Sequence, residues 1–352
     1  MLWEHPNLNS PLWDTGRIFN QNTSIQYVGP QLQSGHSYYW KVRWWDHKGE
    51  MAESVELGHF MTGILDPSDW TPAKWIAAPE DVTNTPIFMN NFTVEPDNVT
   101  SAVLCISGLG FVKPYVNSID LNARMDPPIA LAPGWTEYEM RVPYVVYNIT
   151  DLVKSSSNQL ILEAVVGVGW RNTSDYRLND WLILPKPDLI PRVLRAILTV
   201  VSSGNKTTSF YSDATWGCKN SDITYETIWD GEVFNAKTRR GSVGAVFVAQ
   251  ETGGPNGIMY TTTMPYIAEV GYEEPVNIYP RKDSKGTVIS QIVDFGNNSA
   301  GVCKINVKGI SNMISLHHAE VPLHSPYGPT NGSLFYANLH QALARDDVTS
   351  DE

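Results

Sequence analysis

Ser101-Ala102-Val103-Leu104-Cys105-Ile106 is a compact apolar run, and Ser107 leads from it into Gly108-Leu109-Gly110. Phe111-Val112-Lys113-Pro114-Tyr115-Val116 comes next. An apolar run this short, closed by glycine, reads as a buried strand, and the glycine turn sends the chain back in a second one. The same pattern extends outward. Residues 160–168 read as another buried strand, closed by Gly169-Trp170. Residues 189–201 read as a long amphipathic strand, and Gly204-Asn205-Lys206 as the hairpin tip that follows it. Helical periodicity is nearly absent; Asp151-Leu152-Val153 is one expected helical turn. About ten strands at this spacing predict a β-sandwich of jelly-roll type.

Upstream, Tyr38-Tyr39-Trp40-Lys41-Val42-Arg43-Trp44-Trp45 reads as a strand running into Asp46-His47-Lys48-Gly49, and residues 56–62 as the next. Asp66-Pro67-Ser68-Asp69-Trp70-Thr71-Pro72 is punctuated like a linker. Downstream of Gly253-Gly254-Pro255-Asn256-Gly257, residues 288–293, 301–307 and 313–317 read as strands. The expectation is an all-β chain of consecutive sandwiches over residues 1–65, 66–252 and 253–352. The first and last are expected to be partial, because both ends read as cut.

At 352 residues the chain exceeds one ordinary domain. Its net charge of −12 argues against a phosphate-neutralising surface, so no nucleic-acid partner is expected. The hydrophobic share is 42% against 18% charged, which excludes a disordered acidic tail. No apolar stretch approaches the roughly 20 residues of a spanning helix, and no membrane partner is expected. Met1-Leu2-Trp3-Glu4-His5-Pro6 lacks the basic region and apolar core of a signal peptide.

Three cysteines, Cys105, Cys218 and Cys303, lie in apolar or aromatic surroundings and read as buried thiols. Glycosylation sequons point to the secretory pathway instead. They occur at Asn22, Asn91, Asn98, Asn148, Asn172, Asn205, Asn297 and Asn331, more than chance would place among 25 asparagines. A β surface rich in Asn, Ser and Thr is the competing explanation.

Phosphate loops, nucleophile elbows and helical His pairs followed by Glu are missing from the sequence. In His317-His318-Ala319-Glu320 the two histidines would face opposite sides of a strand, so they would not share an ion. His318, Glu320 and His324 could share a face, but a solvated strand face explains them better. Asp120, Asp126, Glu137, Glu139, Asp175, Asp180, Asp230 and Glu232 supply carboxylates, and a glycosidase needs two of them opposed across a pocket. Asp230-Gly231-Glu232 reads as a turn with an exposed acidic pair. Trp135 and Trp170 follow glycines, a context in which an exposed indole can stack on a sugar; core plugs are the alternative.

Several strings carry a resemblance. Ser107-Gly108-Leu109-Gly110 with Val116-Asn117, Pro133-Gly134-Trp135-Thr136 with Tyr138, Arg141-Val142, and Tyr147-Asn148-Ile149-Thr150-Asp151-Leu152 resemble the N-terminal β-sandwich of the α-L-rhamnosidases, glycoside hydrolase family 78. Trp229-Asp230-Gly231-Glu232 with Asn235-Ala236 and Val293-Asp294-Phe295-Gly296-Asn297-Asn298 with Gly301 continue it. His318-Ala319-Glu320 and Leu334 with Asn338-Leu339 follow in the same order. Leu12-Trp13-Asp14-Thr15-Gly16, Tyr39-Trp40, Val42-Arg43 and Trp45-Asp46 resemble the fibronectin-type domain, fibronectin type III, that opens many of these enzymes.

The resemblance implies a non-catalytic N-terminal portion of a secreted enzyme that hydrolyses terminal non-reducing α-L-rhamnose with inversion. Its acid and base would belong to an (α/α)6 barrel whose acidic motifs this sequence lacks. Rhamnose-containing glycans or glycosides are the implied partners. In some relatives the sandwich binds rhamnose with calcium, and Asp126, Trp135 and Trp170 are the matching candidates here. Where the family has Gly-Asn-Gly-Trp this chain has Gly167-Val168-Gly169-Trp170, so no cofactor is expected and calcium is disfavoured. A free-standing glycosylated carbohydrate-binding or structural β module without catalysis is the alternative.

Overall fold

The computed structural model describes all residues except 5, 8, 20–21, 135, 170–190, 229–230, 237–243, 262–263, 307–312, 320, 323–333, 336–344 and 350–352. Two sheets face each other in the middle of the chain. One runs Gln250–Thr252, Trp75–Ala77, Val193–Ser202, Val99–Gly108, Arg141–Asn148, Ile258–Thr261, with Lys206–Tyr211 also paired to Val193–Ser202. The other runs Ile119–Asp120, Phe111–Val116, Gln159–Gly167, Pro86–Thr93, Gly217–Asn220, Phe247–Val248. Alternate residues of both fill the space between them. Leu104, Ile106, Ala196 and Leu198 come from the first sheet, and Phe88, Leu160, Leu162 and Val166 from the second. The expected helical turn is there, at Thr150–Lys154, with Leu152 and Val153 buried.

Gly108-Leu109-Gly110 does not close a hairpin. The strands on either side of it belong to different sheets, so the turn carries the chain across the sandwich. Val193–Ser202 is not amphipathic either. It is buried on both faces, because a second apolar layer of Trp70, Ala73, Val103, Cys105, Tyr144 and Ile197 covers the outer side of its sheet. Trp70 comes from the segment expected to be a linker. Asp66 caps a short 3-10 turn there, Pro67–Trp70, by accepting from the Ser68 N–H. Arg195 locks the turn down: its Nη2 donates to Trp70 O at 2.6 Å, and its guanidinium lies over the Trp70 ring at 5.3 Å.

Further upstream, Leu2–Trp3, Ser37–Trp40 and Gly58–Met61 form a three-stranded sheet. It contacts the sandwich through a buried Ser101 Oγ to Ser37 Oγ bond and through the Ile64 N–H, which donates to the Tyr144 hydroxyl. The run 38–45 is two strands, Ser37–Trp40 and Arg43–Trp45, and they pair with different partners. Downstream, Asn277–Lys282 and Val288–Asp294 make an exposed two-stranded ribbon. Residues 301–306 are not a strand. Met313–His317 joins Arg345–Thr349, Gly231–Asn235 and Ile223–Thr227 in a four-stranded sheet that ties the late chain to the middle.

Candidate functional site

The two glycine turns named in the sequence meet. Gly110 has φ +116°, and a Cβ there would collide with the carbonyl oxygens of Gly167 and Val168. Gly169, at φ +52°, packs on the Gly110 backbone in turn. The Gly110 N–H donates to the Tyr138 hydroxyl, and the Val112 N–H to the Ala132 carbonyl. Segments on both sides of Trp135, and the residue before Trp170, are thus anchored around one turn. Trp135 and Trp170 themselves lie outside the described residues, and Asp126 is exposed on the loop after Asn122–Arg124.

Behind this turn lies a carboxylate that the sequence did not mark. Val168 is 8% exposed, and its N–H donates to Glu226 Oε1 at 2.8 Å. Arg192 Nη2 reaches the same oxygen at 3.0 Å. Burial pushes the Glu226 carboxyl above its ordinary range, against the Val168 N–H and Arg192, which favour the ion. Glu226 stands directly opposite Glu232 across Ile223–Thr227 and Gly231–Asn235. Glu232 is therefore a strand residue, partly buried, rather than part of an exposed turn. Its carboxyl is raised by burial first, then by Asp346 and Glu226. The Glu232 N–H donates to Asp346 Oδ1 at 2.8 Å, and Asp346 Oδ2 meets His318 Nε2 at 2.8 Å. His318 Nδ1 lies 3.8 Å from the Cys303 thiol, which is exposed, unlike Cys105 and Cys218.

Among the described residues the donor set at this turn does not fit calcium: Val168 contributes no side-chain oxygen, and Glu226 Oε1 is already held by a guanidinium and a peptide N–H. Among the described residues no group of three His, Cys, Asp or Glu could hold a metal. The other carboxylates are dispersed. Asp120 pairs with Lys113 at 3.0 Å, Glu139 accepts from Asn256 and Glu137 is exposed. Asp175, Asp180, Asp230, Glu320 and His324 lie outside the described residues. Six sequon asparagines, Asn22, Asn91, Asn98, Asn148, Asn205 and Asn297, are described, and all are exposed; Asn172 and Asn331 are not described.

Residues 97–245 match a model of the α-L-rhamnosidase N-terminal domain, and residues 6–66 match the N-terminal immunoglobulin domain of Rha78A-like proteins. The chain is similar to the N-terminal β region of the α-L-rhamnosidases. The matched opening domain is described as immunoglobulin-type, where the sequence motifs resembled a fibronectin-type one. An α-L-rhamnosidase of Formosa agariphila is 26% identical over 85% of this chain, but only 33% of its own length is covered. The chain spans about a third of the length of the curated relatives it matches. In fold it is similar to the α-L-rhamnosidase of Dictyoglumus thermophilum, with a TM-score of 0.78 at 23% identity, over 100% of this chain and 39% of that one. The Streptomyces avermitilis α-L-rhamnosidase, solved with L-rhamnose, gives a TM-score of 0.71 at 18% identity, over 96% of this chain and 48% of that one.

Proposed function

We propose that the chain is the non-catalytic N-terminal portion of a secreted α-L-rhamnosidase. The whole enzyme would remove terminal α-L-rhamnose with inversion, its acid and base supplied by a following barrel. The carrying observation is the state of the Glu226–Glu232 pair. An inverting pair stands roughly 6.5–9.5 Å apart with a water between. Glu226 and Glu232 are instead direct neighbours on paired strands, with Glu226 held by Arg192 and the Val168 N–H. Glu226 braces the Val168 turn, and Glu232 stands beside it on the neighbouring strand. The sequons, exposed wherever described, support secretion.

Any sugar site of this region would lie at the Gly110 turn, around which Ala132, Tyr138 and Gly169 are anchored. Titration calorimetry of the chain with L-rhamnose should give weak binding, of roughly millimolar Kd or ~−4 kcal/mol, indifferent to calcium. Tight calcium-dependent binding would overturn the reading of Val168.

A further inference from the structure

Asn91 begins the sequon Asn91-Phe92-Thr93 inside the strand Pro86–Thr93. Phe88 and Phe92 point into the core, so Met89, Asn91 and Thr93 take the outer face. Gln159 Nε2 donates to the Thr93 hydroxyl at 3.2 Å, and the neighbour of Asn91 across the sheet is Ile161, 40% exposed. On the other side Met89, Gly217 and Val248 are in register across three strands, and a Val246 methyl packs over Gly217, 2.6 Å from where a Cβ would stand. Beside it lies an open cleft of about 320 Å3, lined by Met89, Asn90, Asn91, Thr215, Val246 and Val248 among others. That volume lies at the small end of ligand sites.

The lining has two kinds of surface. Val246 and Val248 are 51% and 67% exposed, and with Met89 they offer an apolar wall. The lining also takes in the Asn90 amide and the Thr215 hydroxyl, joined at 3.1 Å. A pyranose has the same division, with C–H faces and a polar rim. A sugar joined to Asn91 starts in the cleft wall, so little freedom is lost in seating it.

We propose that Asn91 is an N-glycosylation site whose first N-acetylglucosamine seats in this cleft and becomes part of the sheet surface. The proposal rests on the secretory reading above. In the transfer, Asn91 Nδ2 bonds to C1 of the sugar. The C1–O bond to a lipid-pyrophosphate donor breaks, the lipid pyrophosphate leaves, and the amide nitrogen loses one proton.

The test uses the 352-residue chain secreted from a yeast behind that host's leader, and the same chain from a bacterial host without glycans. Mass spectrometry of the yeast product should find Asn91 occupied. Trimming every glycan to one sugar should leave Tm unchanged. Asn91→Gln should lower it by about 2–4 °C, a shift typical of one seated contact in a domain this size. Asn98→Gln should have no effect. In the bacterial product Asn91→Gln should also leave Tm unchanged, which separates the sugar from the side chain. Val248→Ser should lower Tm more in the glycosylated chain than in the bare one. Glycans elsewhere with Asn91 bare, or an unaltered Tm for Asn91→Gln in the yeast product, overturns the proposal alone. No sequon occupied at all defeats the secretory reading and the proposal with it.

Discussion

Gly110 shows what a single residue decides. Its φ of +116° is one that side-chain-bearing residues avoid, and its Cα faces two carbonyl oxygens at close range. Gly110→Ala should therefore cost more than the ~1–3 kcal/mol of backbone strain alone, because the neighbouring turn must also shift. Urea unfolding measures it, and a loss below about 1 kcal/mol would contradict the packing of the two turns. Glu232 makes a different prediction. Glu226 and Glu232 are both held above the ordinary carboxylate value of about 4.3. The native state thus keeps protons that the unfolded chain releases. The pair's contribution is fully present below that value and falls as pH rises through the raised pKa values. Glu232→Gln removes like-charge opposition across the strands. It should add roughly 0.2–1 kcal/mol at pH 7–8 and nothing at pH 4. Denaturation midpoints at the two pH values check it; an equal change at both would mean that charge is not the cause.

Among the elements, the Pro67–Trp70 turn binds a sheet face that would otherwise be bare. Trp70 is 2% exposed, stacks edge-on with Tyr144 at 5.1 Å, and lies under Arg195. Trp70→Ala should cost about 3–5 kcal/mol by opening a cavity over Val193–Ser202. A cost under 1 kcal/mol would show that the segment is the free linker its Pro, Ser and Asp content suggests. This element explains why one strand was misread. Residues 189–201 read as amphipathic, and Arg195 is the charged residue within the apolar run 193–201. The arginine is answered by two backbone carbonyls of a segment more than 120 residues away, which local pattern does not show. The strands 99–108 and 111–116 were legible, since glycine and apolar runs mark them locally. Their assignment to different sheets was not, because pairing depends on distant partners. Glu226 was silent for the same reason: nothing in Tyr225-Glu226-Thr227 reveals that Arg192 and Val168 converge on it.

At the scale of the whole molecule, burial is uneven. The core between the two facing sheets draws on residues from Ile76 to Ala249, whereas the ribbon Asn277–Lys282/Val288–Asp294 is exposed along nearly its whole length. A two-stranded ribbon is only marginally stable by itself. Limited trypsin digestion should cut first at Arg281, Lys282 or Lys285 and leave a resistant core that includes residues 66–261. First cuts inside 86–167 would contradict that hierarchy. Fold class and family motifs could be read from the sequence because they are strings of neighbouring residues. The candidate site could be read only as its two glycine turns. Its charged support comes from separate stretches, at Arg192 and Glu226.

The measurement closest to the centre of the account is hydrolysis of an aryl α-L-rhamnoside by the purified chain alone. Positioned substrate without an opposed acid and base leaves the glycosidic barrier standing. The expected result is no turnover above the uncatalysed rate, at any pH. Turnover that survives repurification and is lost in Glu226→Gln or Glu232→Gln would contradict the account, because it would make a catalytic pair of the turn-bracing Glu226 and its strand neighbour.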